Sequence, residues 1–362
     1  MTKLILFIFF TPILLYGQSN TLIVGTYTSK GSKGIYTYTM DKNTGMLQEV
    51  SHTEGILNPS YLTISKDKKK LYAVQETNPG AVLSFEIDQQ SGRLAKLNAQ
   101  TDGQSAPCHI VVDKTNKWCL IGNYGSGNLS VFPINPDGSL AAASQTITHV
   151  HADQPATKSH VHYIGISPNN KHVFVTDLGH NRVYIYTFEQ KNGKLKPASP
   201  PYLQLPLGSG PRHLAFHPKG NLMYLINEKS SEIMLLQFNN NTLSIIQNIT
   251  TLLESFNGKN DCADIHISPD GKFLYGSNRG HDSVVMYSID QKSGILSCIG
   301  HQPVFGQTPR NFVIDPSGHF LYVANQNSDN ITIFRRDLKL GTLTYTDQQI
   351  AVSMPVCLKF LN

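Results

Sequence analysis

Residues suited to chemistry are concentrated in one stretch of this 362-residue chain, Gly208-Ser-Gly-Pro-Arg-His-Leu-Ala-Phe-His-Pro218, which continues to Asn227-Glu228. Arg212 and His213 begin a short apolar segment, and Glu228 comes just after a second one. Because neighbouring antiparallel strands run in opposite directions, Arg212 and Glu228 should meet at one end of a hairpin. The arginine fork suits a carboxylate or phosphate, and the carboxylate is a candidate general base.

The same hairpin pattern recurs along the chain and predicts the elements that position these side chains. Its first segments begin about 50 residues apart, and each repeat contains four short β-patterns. Convincing helical periodicity is absent from the sequence, so we expect an all-β, seven-bladed β-propeller. The repeats start at Pro59, Pro107, Val161, Pro211, Cys262, Pro309 and Pro355.

The two ends of the chain predict how the ring of blades closes. Residues 354–362 provide one strand, whereas residues 20–55 provide three, at 22–26, 34–40 and 47–53. Joined together, they complete the last blade with strands from both termini and remove the open sheet edges. A solenoid is the alternative, but it would need capping repeats, which neither incomplete end resembles.

The N-terminus has the pattern of an export signal. Lys3 precedes an apolar run, Leu4 to Tyr16, and Gly17 follows it. The run is short for a membrane span. We therefore expect a signal peptide at residues 1–18 and a propeller domain at residues 19–362. The mature protein should be periplasmic or secreted, without a membrane span.

Composition excludes several classes of partner. The formal net charge is +5 and is scattered, with Lys68–Lys70 as the longest basic run, which argues against nucleic-acid binding. Five cysteines, an odd number, lack metal-ligand spacing and indicate buried thiols more than a disulfide framework. A Cys108–Cys357 bridge would require adjacent strands. We expect no metal or cofactor, and a monomer or weak oligomer.

In a propeller the first strand of each blade lines a central channel, and the second strand ends near its start. Residues about 50 positions apart should therefore converge at one mouth of the channel. The first-strand column is Ser60, Cys108, His162, Arg212, Ala263, Arg310 and Val356. The residues beside it are Tyr61, His109, Tyr163, His213, Asp264, Asn311 and Cys357. The second-strand column is Tyr27, Glu76, Tyr124, Leu178, Glu228, Arg279 and Gln326.

These columns predict a site for a small anionic molecule. Three arginines, Arg212, Arg279 and Arg310, suit its binding, with His213, Asp177 and Asp264 as further binding candidates. His162 and Glu228 are the candidate general bases. Gly-x-Ser-x-Gly and metal-binding patterns are absent from the sequence, which disfavours a serine hydrolase or a zinc enzyme. The alternative is that pairs such as Arg212 and Glu228 are only salt bridges between strands.

The stretch from Gly208 to Glu228 resembles the signature of the propeller lactonases, which include bacterial 6-phosphogluconolactonases and fungal muconate-lactonising enzymes. Supporting stretches are Ser159-His-Val-His162, Val175-Thr-Asp-Leu-Gly179, Ser277-Asn-Arg-Gly280 and Thr308-Pro-Arg310. The resemblance implies a seven-bladed propeller with a lactone-directed active site. It also implies that His162, Arg212, Glu228 and Arg279 match the family's acid–base and anion-binding residues.

Together, the residues and the resemblance predict a lactone hydrolase of carbohydrate metabolism, acting on the lactone of an anionic sugar or organic acid. A lactone-forming cycloisomerase and a non-catalytic ligand-binding or scaffold propeller are the alternatives. Export makes a carboxylated or plain sugar lactone as suitable a substrate as the phosphorylated one. Both base candidates stay open, although a carboxylate between arginines should be a weak base, which favours His162.

Overall fold

A computed structural model describes residues 20–150, 156–218 and 220–361 of the chain. Within these residues all the regular elements are strands, which form seven four-stranded antiparallel sheets. The all-β prediction and the seven-blade prediction are confirmed. The predicted signal peptide, residues 1–18, lies outside the described residues.

Each blade follows the order of the chain, except where the termini meet. Blade 1 contains β1 (Asn20–Thr26), β2 (Ile35–Met40), β3 (Leu47–Thr53) and the last strand, β28 (Pro355–Phe360). Blade 2 contains β4 (Leu62–Ile64), β5 (Lys70–Gln75), β6 (Ala81–Ile87) and β7 (Leu94–Gln100). Blade 3 contains β8 (Pro107–Val112), β9 (Trp118–Asn123), β10 (Asn128–Pro133) and β11 (Gln145–Thr148). Blade 4 contains β12 (Val161–Ile166), β13 (His172–Asp177), β14 (Arg182–Glu189) and β15 (Lys194–Gln204).

The remaining three blades repeat the arrangement without interruption. Blade 5 contains β16 (Pro211–Phe216), β17 (Leu222–Asn227), β18 (Glu232–Asn239) and β19 (Thr242–Thr250). Blade 6 contains β20 (Asp261–Ile267), β21 (Phe273–Arg279), β22 (Ser283–Ile289) and β23 (Leu296–Pro303). Blade 7 contains β24 (Pro309–Ile314), β25 (Phe320–Asn325), β26 (Asn330–Arg336) and β27 (Leu343–Ala351).

The C-terminal strand closes the ring as the sequence predicts. β28 pairs with β1 in antiparallel register, from Leu22 opposite Phe360 to Gly25 opposite Cys357. Leu358 is buried in a cluster that includes Leu22 and Tyr322, so the closing strand joins the core between blades 7 and 1. The side chains of β1 and β28 are thus buried through the pairing of these two strands.

A repeated tyrosine hydrogen bond connects neighbouring blades and explains the recurrent glycine turn. The buried Tyr322 hydroxyl in blade 7 donates to the Gly45 carbonyl of blade 1 over 2.7 Å, and Tyr224 donates to Gly294 over 2.8 Å. Gly45 has a φ of 77°, and a Cβ there would lie 2.5 Å from the Phe320 ring. Glycine is therefore required both for the turn and for close packing between blades.

Bulges at the start of the first strands determine which side chains enter the channel. In blade 5, Pro211 pairs with Asn227 but His213 pairs with Ile226, so Arg212 is an extra, unpaired residue. Equivalent register shifts occur at the start of β8, β12 and β24. A bulge changes the direction of the side chains near it. Arg212 and His213 consequently both line the channel, although strict alternation would send them to opposite faces.

The cysteines are free thiols in the structure. Cys108, Cys119, Cys262 and Cys357 are buried and Cys298 is exposed, so the prediction of buried thiols is confirmed for four of the five. In the described part of the chain, no helix has the length and apolar character needed to cross a membrane.

Candidate active site

A small, partly open cavity lies at the channel mouth where the first strands begin. We call it the mouth cavity. It is lined by Ser60, Tyr61, Glu76, Cys108, His162, Arg212, His213, Arg310, Asn311 and Val356. Six of the seven residues of the first-strand column, Arg212 included, line this cavity, so the predicted convergence is confirmed for them. A second cavity of about 350 Å³ opens at the other end of the channel, and Tyr61 and His213 line both.

Glu228 is the anchor of the arginine cluster. Its Oε2 accepts from Arg212 Nε over 3.1 Å and from Arg279 Nη2 over 2.8 Å, while Oε1 contacts Lys229 Nζ over 3.0 Å. Burial opposes the charged form, but Arg212 and Arg279 lower the pKa of Glu228 to about 2. An ionised carboxylate with both oxygens engaged is a poor proton acceptor, so the geometry favours a role in positioning the arginines.

Arg212 is almost completely buried, with 2% of its surface exposed. Its Nη1 donates to the Ala263 carbonyl and lies 3.3 Å from His213 Nε2. Burial, with the neighbouring Arg279 and Arg310, lowers the pKa of Arg212 to about 10, which leaves it charged at neutral pH. Nη2 has no hydrogen-bond partner among the described residues and is the donor left for a ligand.

His162 faces the same cavity as an uncharged imidazole. Burial and the nearby Arg212 hold its pKa well below the ordinary value. Its Nδ1 is buried without a partner among the described residues, and its ring centroid lies 5.4 Å from that of His213. A neutral imidazole with an unused nitrogen can accept a proton. Of the two candidate bases, His162 is thus the one with an acceptor atom that is not already engaged by a neighbour among the described residues.

His213 and Asp264 form the wall between the two cavities. His213 Nδ1 donates to Asp264 Oδ1 over 2.8 Å, and His266 Nε2 contacts Asp264 Oδ2 over 2.9 Å. This network assigns the proton to Nδ1 and leaves His213 Nε2 to accept from Arg212. Asp264 is thus behind His213 in the lining of the opposite cavity, and not beside Arg279 at the mouth.

Asp177 lies outside both cavity linings. Its carboxylate accepts from Ser159 Oγ over 2.5 Å and His149 Nδ1 over 2.9 Å, contacts His180 Nδ1 at 3.1 Å, and also accepts from the backbone N–H of His160. Despite its burial, the hydrogen bonds from His149 and His180 keep its pKa below the usual range. Asp177 therefore fastens the segment that leads into β12.

The sequence prediction left two residues out of the site: Glu76, which lines the mouth cavity, and Tyr27, which bonds to Glu76 from outside the lining. Arg310 Nη2 donates to the Tyr27 hydroxyl over 2.9 Å, and that hydroxyl donates to Glu76 Oε2 over 3.0 Å. Burial opposes the charge on Arg310, but Tyr27 and Glu76 raise its pKa. Both Tyr27 and Glu76 stand in the second-strand column, so the alignment of the repeats could have identified them from the sequence.

The fold and the site define a seven-bladed propeller with an arginine-lined channel site beside a neutral histidine. The chain belongs to the family described as "Lactonase, 7-bladed beta-propeller", whose model matches residues 21–360. The expected family is thereby confirmed.

Relatives of the chain carry names from the same family. It is 36% identical over 346 residues to a 6-phosphogluconolactonase of Bacillus subtilis, covering 94% of this chain and 97% of the relative. A solved putative 6-phosphogluconolactonase from Bacteroides fragilis has a TM-score of 0.89 and 36% identity, covering 95% of this chain and 98% of that one. A solved periplasmic gluconolactonase of Pseudomonas aeruginosa has a TM-score of 0.89 and 34% identity, covering 94% and 98%.

Proposed function

We propose that this protein is a hydrolase that opens the ester ring of a sugar-derived lactone. The observation that carries this function is the convergence of a neutral His162 and a charged Arg212 on one cavity. Ester hydrolysis needs these two groups: a base for the attacking water and a cation for the oxyanion that develops. The names of the relatives agree with this chemistry.

The arrangement suggests a sequence of proton transfers in which His162 acts twice. It first takes a proton from water as the water oxygen bonds to the lactone carbonyl carbon. Arg212 stabilises the negative charge on the carbonyl oxygen, with Arg279 and Arg310 as further cations of the site. When the bond between that carbon and the ring oxygen breaks, protonated His162 returns the proton to the ring oxygen. The product is the open-chain hydroxy acid.

The remaining predicted residues take supporting roles in this proposal. Glu228 holds Arg212 and Arg279 in place, since its two oxygens are already engaged by cations. His213, whose orientation depends on Asp264, supports Arg212 from behind. Asp177 acts at a distance, because it fastens the segment that leads to His162. None of these roles requires a metal or a cofactor.

We further propose that the protein is exported, with cleavage after residue 18 and a propeller domain from residue 19. The charged and apolar pattern from Lys3 to Gly17 supports this. The solved Pseudomonas aeruginosa relative is described as periplasmic. Determining the N-terminus of protein made in a Gram-negative host tests the idea, and an intact Met1 in the cytosol would contradict it.

The activity is tested by proton release from a panel of lactones with and without phosphate. His162→Asn should lower kcat by about 10²–10⁴-fold, since this is the usual cost of losing a positioned base. His319→Asn is the control, because the exposed His319 side chain bonds only to Ser317 among the described residues. A His162 variant with the wild-type kcat would overturn this assignment, and an inactive wild type would overturn the function.

The pH dependence of the same reaction gives a second test. The base must be unprotonated, and burial beside Arg212 holds the pKa of His162 well below its ordinary value. The acid limb of kcat/KM should therefore lie well below pH 6.5, the ordinary histidine range. An acid limb at 6.5 would contradict His162 as the base.

A further inference from the structure

Glu76 is a carboxylate of the mouth cavity that the proposed hydrolysis does not use. It follows β5 directly and lines the cavity together with His162 and Arg212. Its Oε2 accepts the Tyr27 hydroxyl over 3.0 Å, which engages one of the two carboxylate oxygens. No hydrogen bond or ion pair to Oε1 occurs among the described residues. One oxygen of a half-buried carboxylate thus remains free to accept a hydrogen bond.

Glu76 differs from Glu228 in what surrounds it. Glu228 contacts three cationic side chains, and these occupy both of its oxygens. Glu76 contacts a phenol, and Arg310 reaches it only through that phenol. A carboxylate acceptor with one oxygen free suits a neutral donor such as an alcohol, because O–H···O⁻ bonds are short and strong. Ser60 Oγ, which is buried in the same lining without a partner among the described residues, adds a second group of this kind.

The charges of the site also bear on the substrate. Arg212 and Arg279 both contact the carboxylate of Glu228, and Arg310 is linked to Glu76 through the Tyr27 hydroxyl. Lys229 contacts both Glu228 and Asp261, so four cations stand against four carboxylates when Asp264, behind His213, is included. This leaves little uncompensated positive charge for a phosphate dianion, whose burial requires matching cations. The site suits a lactone that carries several hydroxyl groups and no dianionic substituent.

We propose that Glu76 is a specificity-determining residue that accepts hydrogen bonds from the hydroxyl groups of a polyhydroxy lactone and disfavours a phosphorylated one. The proposal rests on the proposed lactone hydrolysis and names its substrate class. Tyr27 is a positioning residue, because it bonds to Glu76 and Arg310 of the cavity and is not itself part of the lining. Hydroxyl recognition by a buried polar group discriminates strongly, since the group is left unpaired when the hydroxyl is missing.

The test compares three lactones on the full chain: gluconolactone, the same lactone with a 6-phosphate, and δ-valerolactone, which has no hydroxyl groups. Wild type should prefer gluconolactone over both others. Glu76→Gln should lower kcat/KM for gluconolactone by about 10- to 100-fold, the effect of one charge-assisted hydrogen bond. It should lower kcat/KM for δ-valerolactone much less than for gluconolactone, and it should raise the relative rate of the phosphorylated lactone. Tyr27→Phe should act in the same direction, chiefly through KM.

Glu232→Gln is the matched control, because this carboxylate lies in β18 and contacts only Asn248. Thermal unfolding of each variant shows whether it is folded. A wild type that prefers the phosphorylated lactone would overturn the proposal while leaving lactone hydrolysis intact. An equal loss on all three lactones in Glu76→Gln would also overturn it, since it would assign Glu76 to the chemistry or to stability. A wild type inactive on every lactone would instead contradict the proposed function.

Discussion

Arg212 and His213 are consecutive in the chain, yet both line the channel, and Arg212 Nη1 lies 3.3 Å from His213 Nε2. The bulge at Arg212 makes this possible, because it interrupts the alternation of side-chain direction along β16 at one residue. The guanidinium is then held from three sides, by Glu228, the Ala263 carbonyl and His213. Such fixed orientation is what a group that stabilises developing charge requires.

Glu228→Gln should raise KM and also lower kcat, because Arg212, which Glu228 holds, is proposed both to bind the lactone and to stabilise the oxyanion. The neutral amide no longer holds Arg212 and Arg279, so the lactone loses ordered donors, whereas the proton acceptor, His162, is untouched. Steady-state kinetics on the best lactone measure the two constants. Asp261→Asn is the control, because that side chain contacts Lys229 at the same rim but neither arginine. A 10²–10⁴-fold loss in kcat at unchanged KM would instead make Glu228 the base.

Acidification should destabilise the protein between pH 6.5 and 4 through His213. Burial and Arg212 lower the pKa of His213 to about 4, whereas the unfolded chain has an ordinary value near 6.5. The unfolded state therefore binds more protons in this interval, so stability falls as the pH falls. The shift corresponds to a loss of about 3 kcal/mol by pH 4. Urea unfolding at a series of pH values should give a shallower dependence for His213→Asn, and a dependence equal to wild type would contradict the prediction.

Asp177→Asn should reduce stability more than catalysis. The variant removes a buried charge from a network with Ser159, His149 and His180, at a cost of about 3 kcal/mol. Chemical denaturation measures the loss, and kcat is compared per folded molecule at low temperature. Because Asp177 is absent from the cavity linings, KM should stay near wild type. A large change in KM with unchanged stability would contradict this prediction and show that Asp177 takes part in substrate binding.

Loss of the closing strand should unfold the propeller as a unit. Leu358→Ala removes a buried side chain from the cluster between blades 7 and 1 and should cost about 2–5 kcal/mol. Deletion of residues 354–362 should abolish the cooperative transition, since it exposes the edge of β1. Leu340→Ala is the control, because Leu340 is 62% exposed and should change stability by less than about 0.5 kcal/mol. A full transition in the deletion variant would contradict the closure.

The repeat in the sequence was sufficient to predict the fold. Its period of about 50 residues and the complementary ends required seven four-stranded blades closed by both termini. The same repeat aligned residues into columns, and Arg212, His162 and Arg310 do converge on one cavity. Columns are predictable because every blade places equivalent positions at the same height in the channel. Periodicity therefore determined which residues reach the mouth.

Tertiary structure decided which of these residues contact one another, because such contacts join strands far apart in the chain. The Tyr27 hydroxyl connects Arg310 of β24 with Glu76; the columns bring these three residues to one mouth but do not specify which of them bond to each other. Asp177 directly precedes Leu178 of the second-strand column, but its carboxylate bonds to His149 and Ser159 from the connection before β12. A side chain at the mouth can hydrogen-bond to a neighbouring loop or face the cavity. Only the packing around the closed ring determines which of the two it does.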